Sequence, residues 1–365
     1  MAGEGAIRAA AGAVVHPDLG RTLDELGMVR AVEERRRGRV RVTVGIIVPG
    51  SEQRPLLADR VRAAVAALDD VAEVDVDFVE VPDEERLATA ARIRGSAERG
   101  VLVGASGSKT RIITISSGKG GVGKSSVTAN LAVALAGAGR RVGVIDADVW
   151  GFSIPRMLGI DRNPAVFGDM LVPPAAHGVR AISMEYFVPP NEAVIWRGPM
   201  LHKALEQFLA DVFWDDPEFL LIDMPPGTGD VAISISQFLP RAQAIVVTTP
   251  QITAQRVAKR AALMAGKVDQ EVMGIVENMS WFTGDDGVRY HIFGEGGGRA
   301  LADDLGVPLL GRIPLLPALR VGADEGRPIA ATEPESEAGR AFADLAAAVI
   351  ERRPRVRTHP ELVIR

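Results

Sequence analysis

The sequence predicts an α/β protein in which a small α/β domain precedes a doubly wound, mostly parallel sheet. Three observations predict it. From Thr110 onward, short apolar runs alternate with helical patterns, as in a parallel sheet covered on both faces. Residues 111–126, "RIITISSGKGGVGKSS", lead an apolar β-branched run straight into a glycine-rich loop. The first hundred residues hold two alternating runs of their own, enough for a separate sheet.

In chain order, residues 6–15 have a helical pattern and 28–32 form a short strand. "RVRVTVGIIV" (39–48) alternates and then turns wholly apolar, as a strand entering a core does. Residues 54–70 have apolar positions at helical spacing, and 71–81 alternate again. The pattern weakens after Pro82, and residues 96–109 are small and glycine- and serine-rich, a connector. The expected division is a domain over 1–95, a linker over 96–109, a second domain over 110–350 and a basic tail over 351–365. Strands are expected at 111–116, 141–146, 219–223, 243–249, 272–278 and 307–314. They are short and apolar, as buried parallel strands are. Helices are expected at 124–137, 202–212 and 254–266.

Composition narrows the function. With 365 residues, 47% hydrophobic and 24% charged, the chain has material for a sizeable core. A net charge of −5 gives no overall field for nucleic acid or anionic lipid, so neither partner is expected. The arginines of 34–39 read as a solvated turn. There is no cysteine, which excludes disulfides, thiolate metal sites and thiol nucleophiles. The start of the chain lacks the apolar core of a signal peptide, and no apolar run reaches the ~20 residues of a membrane span. A cytoplasmic protein is expected.

Gly118, Lys119, Gly120, Gly121, Val122, Gly123, Lys124, Ser125 and Ser126 have the spacing of a phosphate-binding loop between a strand and a helix. Its backbone N–H groups turn around phosphate oxygens at the positive end of the following helix. Lys124 is expected at the β- and γ-phosphates of ATP, and the Ser125 hydroxyl on Mg²⁺. Asp146 and Asp148 follow the second strand, where an α/β sheet places its ligand contacts. One can orient an attacking water while the other holds the metal's water shell, although Asp148 could equally cap a turn. Asp223 ends an apolar strand, the place of a carboxylate that contacts magnesium through water. "PPGTGD" (225–230) then forms a stiff loop suited to a γ-phosphate switch. The loop needs one lysine, which leaves Lys119 without an assignment.

Taken together, GKGGVGKSS, DADVWGFSIP, IWRGPMLHKAL, LLIDMPPGTGD, VTTPQ and GIVENMSWF resemble, in order, the motifs of the Mrp/ApbC family of P-loop ATPases. This family is grouped with MinD, ParA and the nitrogenase iron protein. The similarity runs from about Thr110 to Val349. "HPDLGRTLDELGMVRAVE" (16–33) resembles the small iron–sulfur-assembly domain that often precedes these ATPases. The resemblance implies a homodimer that hydrolyses ATP slowly and serves iron–sulfur client or scaffold proteins. It implies that Lys119 reaches across the dimer to the other subunit's phosphates, a cation supplied in trans. It further implies that Asp148 activates water, that Asp146 and Asp223 lie in the magnesium shell, and that Asn278 recognises adenine. From its position alone, Asn278 reads equally as a strand-end turn residue.

The departures concern the cluster. Relatives that bind one carry a Cys-x-x-Cys pair after the ENMS motif, and here residues 281–298 contain none. Ser51 stands where the N-terminal domain commonly has a cysteine. His291, Asp285 and Asp286 are the remaining candidate ligands, and iron favours thiolates over them. An iron–sulfur cluster is therefore implied by resemblance alone, and its direct binding is opposed by the residues. Two other readings stand beside this one: a MinD- or ParA-like positioning ATPase, and an ATP-gated scaffold that carries no cluster. The first needs a terminal amphipathic helix or a basic face, and Pro354 and Pro360 argue against a helix in the tail.

Overall fold

The computed structural model describes residues 3–94, 103–104, 108–188, 198–227, 230–268 and 270–352. Most of the expected linker and tail lie outside these residues. So do Ile195–Arg197 of the IWRGPM motif and Thr228–Gly229 of the PPGTGD loop.

The N-terminal elements are α1 (Glu4–Gly12), β1 (Val29–Arg35), β2 (Arg39–Ile46), α2 (Arg54–Ala66), β3 (Glu73–Glu80) and α3 (Asp83–Arg94). Next come β4 (Arg111–Ser117), α4 (Lys124–Gly137), β5 (Val142–Asp146), α5 (Ile154–Met157), β6 (Ala165–Phe167) and β7 (Met170–Val172). They are followed by β8 (Ala175–Ala176), β9 (Val179–Ser183), α6 (Gly198–Ala210), β10 (Phe219–Asp223), α7 (Asp230–Phe238) and β11 (Gln243–Thr248). The chain continues through α8 (Ile252–Lys267), β12 (Glu271–Glu277), β13 (Phe282–Thr283), β14 (Arg289–Tyr290), α9 (Gly297–Leu305) and β15 (Leu309–Arg312). Helices α10 (Pro317–Glu325), α11 (Ile329–Thr332) and α12 (Glu337–Glu351) are the last among the described residues.

The chain divides into two compact units. One is Met1–Gly100 with Arg162–Pro174 and Asp211–Phe213; the other holds the remainder. In the first unit the sheet runs β1-β2-β3, antiparallel and then parallel. The alternation in β2 buries Val40, Val42 and Val44 on one face, with Ile7, Leu19, Leu23, Val61 and Val65 in the same core. On β2 and β3, Arg39 pairs with Glu73 and Arg41 with Asp77, exposed contacts worth little each. The arginine-rich 34–39 segment is a turn with Arg37 and Gly38 at positive φ, as a solvated turn should be.

Two features here depart from the expected pattern. Helix α3 occupies the stretch where periodicity weakens. It buries only Thr89 and Ala90, so its apolar face is too narrow to register, while its acidic first turn and basic last turn suit the helix dipole. The β6–β7 hairpin belongs with the first unit, although its residues fall inside the expected 110–350 domain. Phe167, Met170, Val172 and Phe213 are buried in the first unit's core. Asp169 takes a two-bonded contact from Arg94, at 3.1 and 2.7 Å. Gly168, at φ 63, opens the two-residue turn and brings the backbone against Ala90, where a Cβ would sit 2.6 Å away.

The second unit is the doubly wound sheet. Its order is β15-β12-β11-β4-β10-β5-β9-β8, parallel throughout except for β8. Strands β5, β10 and β11 are buried along their whole length, which explains their unbroken apolar character. Helix α4 is apolar or small nearly all round and is packed on several sides, against the sheet, α11 and α12. Register sets Asp223 beside Asp146 and beside Ile115, so the ends of β4, β5 and β10 are neighbours at one edge of the sheet. That edge carries the phosphate loop.

Candidate functional site

The loop between β4 and α4 turns because Gly121 and Gly123 adopt φ of 78 and 79°, conformations costly for any residue with a Cβ. Gly118 is required for a second reason. A Cβ there would lie 2.2 Å from the backbone of Val257 in α8. Asn278, just past β12, closes over the loop: its Nδ2 donates to the Val122 carbonyl at 2.9 Å. A Cβ on Gly123 would strike that same amide nitrogen, at 2.2 Å. The backbone of Asn278 is held in turn by Thr248, whose carbonyl accepts its N–H at 2.8 Å.

Below the loop is a buried charged cluster. Lys124 Nζ donates to Asp223 Oδ2 at 2.6 Å and lies 3.7 Å from Asp148 Oδ2. Ser125 Oγ also donates to Asp223 Oδ2, at 2.6 Å. Asp223 has no exposed surface, so its charge is tolerable only because a cation and hydroxyl donors surround it. Asp148 uses its other oxygen to accept the Trp150 N–H at 3.3 Å. It thus caps a turn and faces Lys124 at once, and the two readings of this residue are compatible.

Asp146 is the anchor of the loop that carries Asp148. Its Oδ2 accepts Ser153 N at 2.9 Å, Ile154 N at 3.1 Å and the Ser183 hydroxyl at 3.2 Å. Its Oδ1 accepts the Asp148 N–H at 3.3 Å. Burial, and then the neighbouring Asp223 carboxylate, push Asp146 up to about 7, against the pull of the Ser153 and Ile154 amides and the Lys124 ammonium. Lys119 is half-buried at the rim, its Nζ 3.4 Å from Gln251 Oε1 and its carbonyl accepting from Ser117. The Ser126 carbonyl accepts from Asn130 Nδ2 at 3.0 Å.

The sequence-selected residues are therefore brought together, with Lys119 and Asn278 at the edges. Ser183 and Gln251 are additions. Ser183 faces Asp146 only because β9 pairs with β5, a long-range registration with no local signal.

Residues 281–298, which contain no cysteine, hold the hairpin β13–β14. Glu337 staples it, accepting from Trp281 Nε1, Thr283 Oγ1 and Arg289 Nη2, each at 2.8 Å. Asp286 is engaged by Tyr290 OH at 2.6 Å and Val288 N at 3.0 Å. His291 Nδ1 lies 3.2 Å from the Ser280 carbonyl oxygen. Among the described residues, no three His, Asp or Glu side chains are placed to hold a metal ion. The "GEGGG" run serves packing. Gly298 N donates to Glu277 Oε2 at 2.5 Å, and a Cβ on Gly297 would strike the Pro250 carbonyl oxygen at 2.3 Å. In the first unit, Ser51 donates to the Asp18 carboxylate and accepts from Gln53 N. His16 nearby is held neutral, its pKa lowered to about 4 by burial.

Comparisons with known proteins agree with this geometry. Residues 108–350 match the model of the NUBPL iron-transfer P-loop NTPase family, and residues 4–76 match that of an iron–sulfur cluster assembly protein. The iron–sulfur cluster carrier protein of Mycobacterium tuberculosis is 45% identical over 355 residues, covering 95% of this chain and 93% of that relative. Among solved structures, a nucleotide-binding protein of Archaeoglobus fulgidus in complex with ADP matches with a TM-score of 0.55 and 35% identity. The match covers 64% of this chain and 91% of that one. The cell division ATPase MinD of Pyrococcus furiosus matches with a TM-score of 0.50 and 29% identity, over 66% of this chain and 98% of its own. The rival positioning reading shares the fold with MinD, but the family models matched by both parts of the chain concern iron transfer and cluster assembly. With the family model matched over more than half of the chain and a relative 45% identical over nearly all of it, this chain belongs to the NUBPL iron-transfer P-loop NTPase family.

Proposed function

We propose that this chain binds and hydrolyses ATP as a cytoplasmic homodimer and serves iron–sulfur cluster assembly without holding a cluster on its own side chains. The observation that carries the reading is the Lys124–Ser125–Asp223 cluster beneath a glycine loop, in a chain with no cysteine. The backbone N–H groups of Gly118–Ser126 cradle the phosphates, and Lys124 meets the β- and γ-phosphates. Ser125 Oγ and the Asp223 carboxylate are hard oxygen donors in direct contact, a pair that fits magnesium, and Asp146, on the next strand and in register with Asp223, would reach its water shell. Magnesium, when bound, neutralises charge on the transferred phosphoryl group. Asp148 orients the water that attacks the γ-phosphorus, and the bond to the bridging oxygen breaks to give ADP and phosphate. Lys119, at the rim, supplies charge to the partner subunit's nucleotide. Asn278 orders the loop and offers its amide to the adenine ring.

The absence of thiolates favours a nucleotide-gated role, in which any cluster is held by a client or scaffold protein. Lys119→Ala and Asp148→Ala should retain ATP binding while hydrolysis falls by about 100-fold or more, the scale of a lost finger cation or positioned base. Phosphate release and equilibrium binding, measured on the same preparations, check this. Wild-type turnover in both variants would contradict the roles given to these residues.

A further inference from the structure

Thr128 lies four residues after Lys124 and three after Ser125, so all three side chains share one face of α4. It has no exposed surface. Its Oγ1 is 2.7 Å from Asp223 Oδ1 and 3.0 Å from the Lys124 carbonyl oxygen. A hydroxyl has one proton to donate, and the nearer, charged carboxylate is the stronger acceptor. The two oxygens of Asp223 are thereby distinguished. Oδ1 is tied to the helix through Thr128, while Oδ2 receives Lys124 Nζ and Ser125 Oγ.

We propose that Thr128 is a positioning residue for magnesium-dependent nucleotide binding: its hydroxyl fixes the Asp223 carboxylate so that Oδ2 stays aimed at Ser125. This rests on the nucleotide reading above. Asp223 sits at the end of a strand and could otherwise turn about its terminal torsion, which is broad for a carboxylate. A turned carboxylate would still pair with Lys124, but it would no longer present its oxygen beside the Ser125 hydroxyl. A hard cation that demands near-octahedral geometry is more sensitive to that change than the ammonium is.

A packing role for Thr128 predicts the opposite ranking of variants. Valine keeps the branched shape and loses the hydroxyl, whereas serine keeps the hydroxyl and loses a methyl. Packing alone makes Thr128→Val mild and Thr128→Ser worse. Positioning makes Thr128→Ser close to wild type and Thr128→Val defective.

The test is calorimetric binding of ADP to the full chain across a magnesium titration. Wild type and Thr128→Ser should show the same magnesium midpoint. In Thr128→Val the midpoint should rise about tenfold, as expected for one lost hydrogen bond to a charged group. Magnesium-free affinity should change less than about threefold, because the loop amides and Lys124 carry it. Should Thr128→Val not fold, Thr128→Ala removes the same hydroxyl and Thr128→Ser remains the rescue. A wild-type magnesium midpoint in the hydroxyl-free variant, or a Thr128→Ser midpoint shifted as far as that variant's, would overturn the proposal. Wild type that binds no ADP at any magnesium concentration would instead overturn the nucleotide reading beneath it.

Discussion

Lys124→Ala should abolish the thermal stabilisation that ATP and magnesium confer on the wild-type chain. A ligand present at 100 times its dissociation constant stabilises a protein by about 2.7 kcal/mol, and this is the shift that should vanish. The variant should also be less stable without ligand. Lys124 Nζ is 2.6 Å from the wholly buried Asp223, and removing one partner of such a pair leaves an uncompensated charge, at a cost of about 3–5 kcal/mol. Ser125 and Thr128 still donate to Asp223, so the lower end of that range is expected. Melting curves with and without nucleotide separate the two effects. An unchanged nucleotide shift in Lys124→Ala would contradict the placement of phosphate at this loop.

Phe167→Ala should destabilise the first unit by about 3–5 kcal/mol, although the residue lies among second-unit sequence. Phe167 has no exposed surface and sits with Met170, Val172 and Phe213 in the core built by α1, β2 and α2. Its neighbour Val166 is 55% exposed on the same strand, so Val166→Ala should cost under about 0.5 kcal/mol. The contrast between adjacent residues identifies which face of the hairpin is packed. Denaturant unfolding followed by a probe in the first unit measures both. Equal, small effects would mean that the hairpin does not complete this core. The same burial predicts that a chain lacking residues 3–94 leaves these apolar side chains exposed and is prone to aggregate.

What the sequence makes legible here is local chemistry. The strand, the glycines at positive φ and the first turn of α4 are contiguous, so the phosphate loop is readable from residues 111–126 alone. Asp223 is readable because it ends an apolar run. Contacts made across many residues leave no such mark. The Asn278–Val122 bond spans 156 positions, and its meaning for Gly123 emerges only in three dimensions. Thr128 looks like any residue of an alanine-rich helix, although its spacing from Lys124 was a usable clue. The three-residue strands of β6 and β7 are too short for periodicity to register, and nothing local says which core receives Phe167. Helix α3 lacked an apolar stripe. Asp146 stands out in the sequence as a carboxylate at a strand end, but its service as anchor for Ser153, Ile154 and Ser183 depends on loop closure and strand pairing.

On the proposed reading, this chain works as a nucleotide switch and its own side chains do not suit an iron–sulfur cluster. Iron–sulfur clusters are held chiefly by thiolates, and the chain has none. His291, Asp285 and Asp286, the candidates in the corresponding segment, form no metal-holding group, and Asp286 is already engaged by Tyr290 and Val288. The most direct measurement is anaerobic reconstitution of the full chain with iron and sulfide, followed by desalting and assay of bound iron, sulfide and visible absorption, with ADP binding measured on the same sample. Retained ADP binding with no cluster surviving desalting is the predicted result. A near-stoichiometric cluster that survives desalting and is lost in His291→Ala would contradict it and restore direct carriage through non-thiolate ligands.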